Sequence, residues 1–483
     1  MELSKITLTK DYNFKQQEEF SILSGDFNPI HLDSVFARRE LVGDIVVHGI
    51  HLVLDALEFL IDSTFIEKPL YIHFIKVKFH NPVYLLKSVE ISIKQDGQNA
   101  TIIIRDSKSL LLSEIIVRYR FVNISFFSNI IKSNGFSLKY PSNHSINDLV
   151  DHHGDCELDL NEDLCKKIFP NLYQNLLHTQ IAEILALTRI VGMKCPGLKS
   201  LFSGFELETK KSNHTVVEYK VDKIIERFSM VNLDIVGPTF SGRVETFYRP
   251  EPIDQPTIRE IARKVQFNSL KNMVALVIGG SRGIGETTAK IIAAGGGTPI
   301  ITYFKGKQDA EQISRDITDT NFTCYSKMVN IQDLENCFDD FPNNLKVNTI
   351  FYFASPKIFV KKTNDFDRDL FDDFLNYYVE GFNELIKLAR QKLPQNLIVF
   401  YPSSIAIEEK PIDLTEYIMA KKAGEYLCEV LSTKCIGLNI LIERLPRMHS
   451  DQTLNLFQFP AASTFDIMYP LINTMSELLG AKK

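Results

Sequence analysis

Near the start of the chain, Ser24-Gly25-Asp26-Phe27-Asn28-Pro29-Ile30-His31-Leu32-Asp33 places a carboxylate and an imidazole within one short stretch. Pro29 disfavours a helical conformation at Asn28, so Asp26 and His31 belong to a turn that can bring their side chains together. A carboxylate and an imidazole sharing one water can add it to an activated double bond or remove it, one taking a proton while the other supplies one. Downstream, Val47-His48-Gly49 heads an apolar helical stretch. The Gly49 amide, at a helix N-terminus, can meet a carbonyl oxygen as charge develops on it. No metal is called for by this set.

A second group lies far along the chain. Tyr417-Ile-Met-Ala-Lys421 sets a phenol and an ammonium one helical turn apart on the same face. A nearby cation lowers a phenol's pKa, so Tyr417 is expected to donate a proton to a carbonyl oxygen near neutral pH. Lys421 would tune it and hold a nicotinamide ribose. Ser404 ends the preceding apolar strand, where its hydroxyl can polarise the same carbonyl.

A third group is a loop. Gly279-Gly280-Ser281-Arg282-Gly283-Ile284-Gly285 sits between an apolar strand and a helix, where glycines let the backbone approach a pyrophosphate and the helix N-terminus binds its charge. The next strand ends Thr302-Tyr303-Phe304-Lys305, without the acid that would bind the ribose hydroxyls of NAD. Arg282 and Lys305 are both placed to meet a 2′-phosphate, so NADP(H) is the cofactor expected. Asn330, after the third strand, is a candidate adenine contact.

The elements that must position these groups follow from periodicity. Residues 48–60 read as a mostly buried helix, and 71–121 as an antiparallel meander of β-branched and aromatic strands broken by turns. A long helix wrapped by an antiparallel sheet is a hot-dog arrangement. Residues 123–162 are rich in Ser and Asn and read as a linker. From Leu164 the order begins again: a helix over 175–191, then four strands. This suggests a second hot-dog copy over 163–252 without an Asp-x-x-x-x-His, hence non-catalytic and expected to contribute a wall of an acyl tunnel. Beyond 252, apolar strands alternate with helices, the pattern of a doubly wound, Rossmann-type parallel sheet over 265–483.

A chain of 483 residues should hold two or three separately cored units. Its 54 basic and 60 acidic residues give a net charge of -6, with no basic stripe for a nucleic acid. Seven widely spaced cysteines without a Cys-x-x-Cys pair read as reduced thiols. The first residues lack the apolar core of a signal peptide, and no later stretch has the run of about 18 apolar residues that a membrane span needs. A cytoplasmic protein with no membrane partner is expected.

The Gly-Asp-x-Asn-Pro-x-His-x-Asp run with its downstream His-Gly resembles the MaoC-like, (R)-specific enoyl-CoA hydratases, over residues 1–122. That resemblance implies a hot-dog fold and Asp26 and His31 as the catalytic pair. From about Asn272 onward, the glycine loop with Ser404, Tyr417 and Lys421 resembles the short-chain dehydrogenases/reductases, most closely their β-oxoacyl reductases. This implies hydride transfer and a Ser-Tyr-Lys triad at those positions. Three motifs depart from the family's pattern: Phe353-Ala354-Ser355 replaces Asn-Ala-Gly, Pro446-Arg447 replaces Pro-Gly, and the family's catalytic asparagine falls near Asn376 or Tyr377. Together the resemblances imply a bifunctional enzyme on CoA- or carrier-protein-bound acyl chains, assembled as a homo-oligomer. The alternatives are an acyl-binding scaffold with one silent half, and a reductase for a sugar or polyketide precursor.

Overall fold

The computed structural model describes residues 6–63, 69–122, 133, 135–136, 139–210, 212–335, 337–339, 341, 345–360, 366–393, 396–456 and 459–480. The chain divides into two compact units, residues 1–251 with 455–458, and residues 252–454 with 459–483. Among the described residues, no helix is long and apolar enough to cross a membrane.

In the first unit, β1 (Ile6–Lys10), α1 (Phe14–Ser24), α2 (Ser34–Arg39) and α3 (Gly49–Ser63) precede β2 (Leu70–Phe79), β3 (Val89–Asp96), β4 (Asn99–Asp106) and β5 (Leu111–Phe121). Then come β6 (His153–Glu157), α4 (Glu162–Ile168), α5 (Pro170–Asn175), α6 (His178–Arg189), β7 (Ser200–Thr209), β8 (Val216–Ile225), β9 (Met230–Val236) and β10 (Phe240–Tyr248). All ten strands form one antiparallel sheet in the order β1-β3-β4-β5-β2-β7-β10-β9-β8-β6. The order is mirrored about the β2–β7 pair, with α3 serving one half and α6 the other. Alternating apolar residues on the strands and the apolar faces of α3 and α6 merge into a single core.

Two expectations need correction here. Strand β6 lies inside the stretch 123–162 expected as a linker, pairing with β8 from His153↔Lys220 to Glu157↔Val216. Its sequence, His-Gly-Asp-Cys-Glu, has no β-branched run to announce it, because an edge strand is ordered by its partner. Residues 123–132 of the same stretch lie outside the described residues. The helix expected over 175–191 is α6, starting at His178 and passing at Ile190 into a π-helical turn that runs to Lys194.

The second unit contains α7 (Ile258–Ala262), β11 (Val274–Ile278), α8 (Gly283–Ala294), β12 (Thr298–Tyr303), α9 (Lys307–Thr318), β13 (Tyr325–Met328) and β14 (Thr349–Tyr352). It continues with α10 (Arg368–Leu375), α11 (Phe382–Lys392), β15 (Leu397–Ser404), α12 (Ala406–Glu409), α13 (Thr415–Lys434), β16 (Leu438–Leu445) and α14 (Thr464–Gly480). Its parallel sheet runs β13-β12-β11-β14-β15-β16. That is the 3-2-1-4-5-6 order of a Rossmann fold, with the switch point between β11 and β14. Near-continuously apolar strands bury both faces, one core forming with α8, α9 and α14 and the other with α11 and α13.

One buried ion pair ties the halves of the first unit together. Arg249, fully buried at the end of β10, donates to Glu40 beyond α2, to the Leu198 carbonyl, and to the Ser200 carbonyl at 3.0 Å. Burial pushes the Glu40 carboxyl up while the guanidinium holds it down. Removing one partner strands the other's charge in the core, so Arg249→Met should destabilise this unit by about 3–5 kcal/mol. The buried thiols of Cys156, Cys165 and Cys195 should then become reactive at lower denaturant, with Cys324, Cys337 and Cys428 of the second unit keeping their midpoint.

Candidate active sites

The Asp26 loop begins where α1 stops. Gly25 takes a left-handed conformation (φ 73°) and its amide closes on the Ser21 carbonyl at 2.8 Å, which turns the chain so that Asp26 points inward, 1% exposed. Asn28 caps the next turn, accepting from the Ile30 amide, and its side-chain amide donates to the carbonyls of Gly192 (3.0 Å) and Gly197 (3.2 Å). Asp33 caps α2 through the amides of Val35 and Phe36. The motif's Asn and second Asp are therefore structural, and its first Asp and His are left for chemistry. Gly49 opens α3 as expected; a side chain there would collide with the Phe79 ring.

The acceptor and donor atoms of Asp26, His31 and His48 lie within 4.8 Å of one another. Nδ1–H of His31 donates to the Val46 carbonyl at 2.8 Å, so the neutral ring keeps its lone pair on Nε2. The His31 and His48 rings stack at 3.7 Å between centroids, 26° apart, and His48 Nε2 lies 3.2 Å from the Asp26 carbonyl oxygen. Stacked rings point their nitrogens side by side rather than at a common centre. His48 also meets Gln17 Oε1 at 3.3 Å through Nδ1, so neither of its nitrogens is free, and the cluster suits proton transfer better than metal ligation.

Electrostatics follow from burial. It raises the Asp26 carboxyl, opposed by His31, by the Thr188 hydroxyl, by the Asn28 amide and by Arg189. It lowers the His31 imidazole against the pull of Asp26, and drives His48 well below the usual histidine range, helped by His31 and His51. The pair Asp26–His31 thus shares its protons as a coupled unit.

The second half of this unit, expected to be only structural, reaches the site. Thr188 Oγ1 on α6 donates to Asp26 Oδ2 at 2.6 Å, and Gly192, in the π-helical turn, has no room for a side chain because the Asp26 carboxylate occupies it. Gln180 bonds both backbone groups of Ile72 at the irregularity of β2. Thr188, His48 and Gly192 were not among the residues singled out from sequence. The His-Gly pair was a signal for His48; a lone threonine 162 residues away from Asp26 offers none.

In the second unit the glycine loop joins β11 to α8. Gly279 (φ 78°) and Gly283 (φ 57°) need left-handed backbone, and a side chain at Gly285 would strike the Gly279 carbonyl, so helix and strand pack as closely as a pyrophosphate cradle requires. Ser281 packs near Gly306, Ile284 packs into the core, Lys305 is exposed past β12, and Asn330 Oδ1 accepts from the Gln332 amide. Arg282 pairs with Asp451 at 2.9 Å, in the segment that follows β16.

Ser404 ends β15, and Tyr417 and Lys421 share one face of α13, with the Ser404 hydroxyl acting to lower the pKa of the Tyr417 phenol. The three predicted residues are brought together. The expected lowering of the Tyr417 phenol is not: burial raises it, with Ser404 opposing. The reason is that Lys421 is itself desolvated and turned away. Its Nζ donates to the Pro402 carbonyl at 2.7 Å and stands 5.9 Å from the Tyr417 ring centre, and burial lowers its pKa to about 7.

Residues 4–109 match the family model described as a MaoC-like domain. No curated protein matches the chain. Among solved structures it is similar to a 3-oxoacyl (acyl-carrier-protein) reductase from Agrobacterium tumefaciens with NADP bound, at 16% identity over 44% of this chain and 91% of that one, with a TM-score of 0.38. The short-chain dehydrogenase from Shigella flexneri is similar at 18% identity over 44% and 88%, with a TM-score of 0.39. So is the alternative dihydrofolate reductase 1 (FolM) from Brucella suis in complex with NADP, at 16% identity over 44% and 90%, with a TM-score of 0.36.

The Thr188 hydroxyl favours the charged form of Asp26, so Thr188→Val should raise the carboxyl's pKa. The acid limb of the pH profile for enoyl-thioester hydration, the activity expected from the motif, should move to higher pH, with rates on that limb falling about tenfold for a loss of about 1.4 kcal/mol. An unmoved acid limb would show that the hydroxyl leaves Asp26's titration alone.

Proposed function

We propose that the chain is a bifunctional acyl-thioester enzyme. The first unit interconverts (3R)-hydroxyacyl and 2-enoyl thioesters, and the second reduces 3-oxoacyl thioesters to the same (3R)-hydroxyacyl form with NADPH. One observation carries this reading. A single chain holds both a buried Asp26–His31 pair and a Ser404–Tyr417–Lys421 set, and the two chemistries meet at one intermediate. On this reading the first unit is a double hot-dog whose second copy positions the catalytic carboxylate of the first. The acyl group rides on CoA or a carrier protein, and the enzyme is a homo-oligomer.

In hydration, a water held between His31 Nε2 and the Asp26 carboxyl loses a proton to one of them as its oxygen bonds C3, and the other group delivers a proton to C2. Dehydration is the reverse. The Gly49 amide, at the positive end of α3, receives the thioester oxygen as negative charge gathers there. In reduction, Ser404 and Tyr417 take the substrate's 3-oxo oxygen by their hydroxyls, and Tyr417 gives up its proton as that oxygen becomes an alkoxide. Lys421 stabilises the phenolate left behind.

The residues present fit NADP(H): glycines 279, 283 and 285 make room for the diphosphate at the start of α8, and Arg282 and Lys305 suit a 2′-phosphate, with Ser281, Ile284 and Asn330 beside them. When bound, NADPH supplies the hydride. The Arg282–Asp451 pair favours a second reading, in which this unit is a silent acyl-binding scaffold, because a carboxylate already occupies the arginine. A fluorescence titration with NADPH separates them, since a scaffold would not bind.

Crotonyl-CoA should lose its enoyl absorbance with the wild type, about 10²–10⁴-fold more slowly with Asp26→Asn. Added NADP+ should then yield NADPH from the product, and Tyr417→Phe should abolish that second phase alone. Absence of hydration with both CoA and carrier-protein thioesters would sink the hydratase assignment.

A further inference from the structure

Lys421 is not merely buried; it is boxed in by aromatic rings. Its Nζ lies 3.8 Å from the ring centre of Tyr378, 5.2 Å from that of Tyr401 and 5.9 Å from that of Tyr417, with the Pro402 carbonyl as its hydrogen-bond acceptor. The closest of these faces is fixed with unusual thoroughness. Tyr378 belongs to a π-helical segment, Asn376–Gly381, inserted between α10 and α11. A π turn frees backbone carbonyls from the helical ladder, and such insertions cluster at functional sites. Two of the freed carbonyls are taken by phenols from adjacent strands: Tyr352 of β14 donates to the Tyr377 carbonyl at 2.5 Å, and Tyr401 of β15 donates to the Tyr378 carbonyl at 3.0 Å. Gly424, on α13, leaves the space for the Tyr401 hydroxyl; any side chain there would collide with it.

The Tyr378 hydroxyl is anchored as well. Ser355 Oγ donates to the Pro356 carbonyl, so the 2.6 Å contact between Tyr378 and Ser355 is a bond from the phenol to the serine. Ser355 stands where the Asn-Ala-Gly pattern has its glycine, and the π segment covers Asn376 and Tyr377, the positions nearest the family's catalytic asparagine. The ring edge is packed against Tyr417 at 5.7 Å, 80° between planes. The hydroxyl and the carbonyl of Tyr378 are thereby both held, which fixes its ring face against one ammonium.

We propose that Tyr378 is a positioning residue of the reductase site, its ring face holding the Lys421 ammonium in place beneath Tyr417. The proposal rests on the reductase reading given above. A desolvated ammonium against an aromatic face is attracted by the ring quadrupole. The contact favours the charged form, against the burial that lowers Lys421 to about 7. The other groups facing it are Tyr417, Glu425 and Cys428 on its own helix, Tyr401 on β15 and Tyr378 itself. Glu425 is paired with Arg444 of β16 at 2.7 Å and accepts from Ser403 at 2.6 Å, which reduces its pull on the lysine. After the Pro402 carbonyl at 2.7 Å, the ring of Tyr378 is then the nearest support for the charge.

The test is the titration of Lys421 in the full chain, read by brief labelling with acetic anhydride and mass spectrometry, for the wild type, Tyr378→Phe and Tyr378→pentafluorophenylalanine. The fluorinated ring keeps the shape and reverses the quadrupole, so a purely structural role would not distinguish the two variants. With Phe the lysine should titrate close to the wild type. With the fluorinated ring, its neutral-amine reactivity at a pH well below its pKa of about 7 should rise about tenfold, as expected for loss of a desolvated cation–π contact. Equal titration in both variants overturns the proposal. NADPH affinity measured alongside separates the two failures: a wild type that binds no NADPH overturns the reductase reading, whatever the labelling shows.

Discussion

A carboxylate that must exchange protons with substrate cannot be left to water, because water would compete for the reaction; nor can it be buried bare, because desolvation would hold it protonated. Asp26 escapes between these limits by accepting a hydroxyl from Thr188 and an amide from Asn28 while 1% exposed. That one hydroxyl imposes a demand on the whole first unit. Thr188 sits on α6, in the other half of the sheet, so the site exists only if the two halves join edge to edge at β2 and β7. The buried Arg249–Glu40 pair, the Gln180 clasp on Ile72 and the Asn28 bonds to Gly192 and Gly197 all span the same join.

Seen this way, the second half of the sheet has a job although its helix lacks an acid–histidine pair. It closes its helix with a π turn, brings Gly192 against the Asp26 carboxylate, and supplies the Thr188 hydroxyl.

What could be read from sequence was whatever is local. The turn through Asn28 and Pro29 encodes its own geometry, so Asp26 and His31 were legible, and the alternation of apolar strands and helices announced the parallel sheet. The glycine loop was legible because its conformation depends on residues within a few positions of one another. Contacts made by folding were not. Thr188 is an ordinary threonine until α6 docks beside Asp26; β6 is a polar pentapeptide until β8 pairs with it; and the π turn at Asn376 needs the Tyr352 and Tyr401 hydroxyls to hold it. The sign of the Tyr417 shift was missed for the same reason. A lysine one turn away acidifies a phenol only when its charge faces the hydroxyl and outweighs the cost of burying the phenolate, whereas here burial acts on each and the ammonium faces Tyr378 and Pro402.

The two sites, on unrelated folds, solve a common problem by the same means. Each buries a group that titrates, lays a ring against the cationic or imidazole member, and sets a hydroxyl from a separate element to favour the charged form of the acidic member. In the first unit His48 stacks on His31 and Thr188 bonds Asp26; in the second Tyr378 faces Lys421 and Ser404 lowers Tyr417. The His48 ring is kept neutral by burial and the Tyr378 ring presents its π face, so each restrains its partner without adding charge, as does a hydroxyl. Both are supports that fix geometry while leaving the proton inventory to the two groups that must use it, which is what acid–base chemistry in a low-dielectric pocket requires.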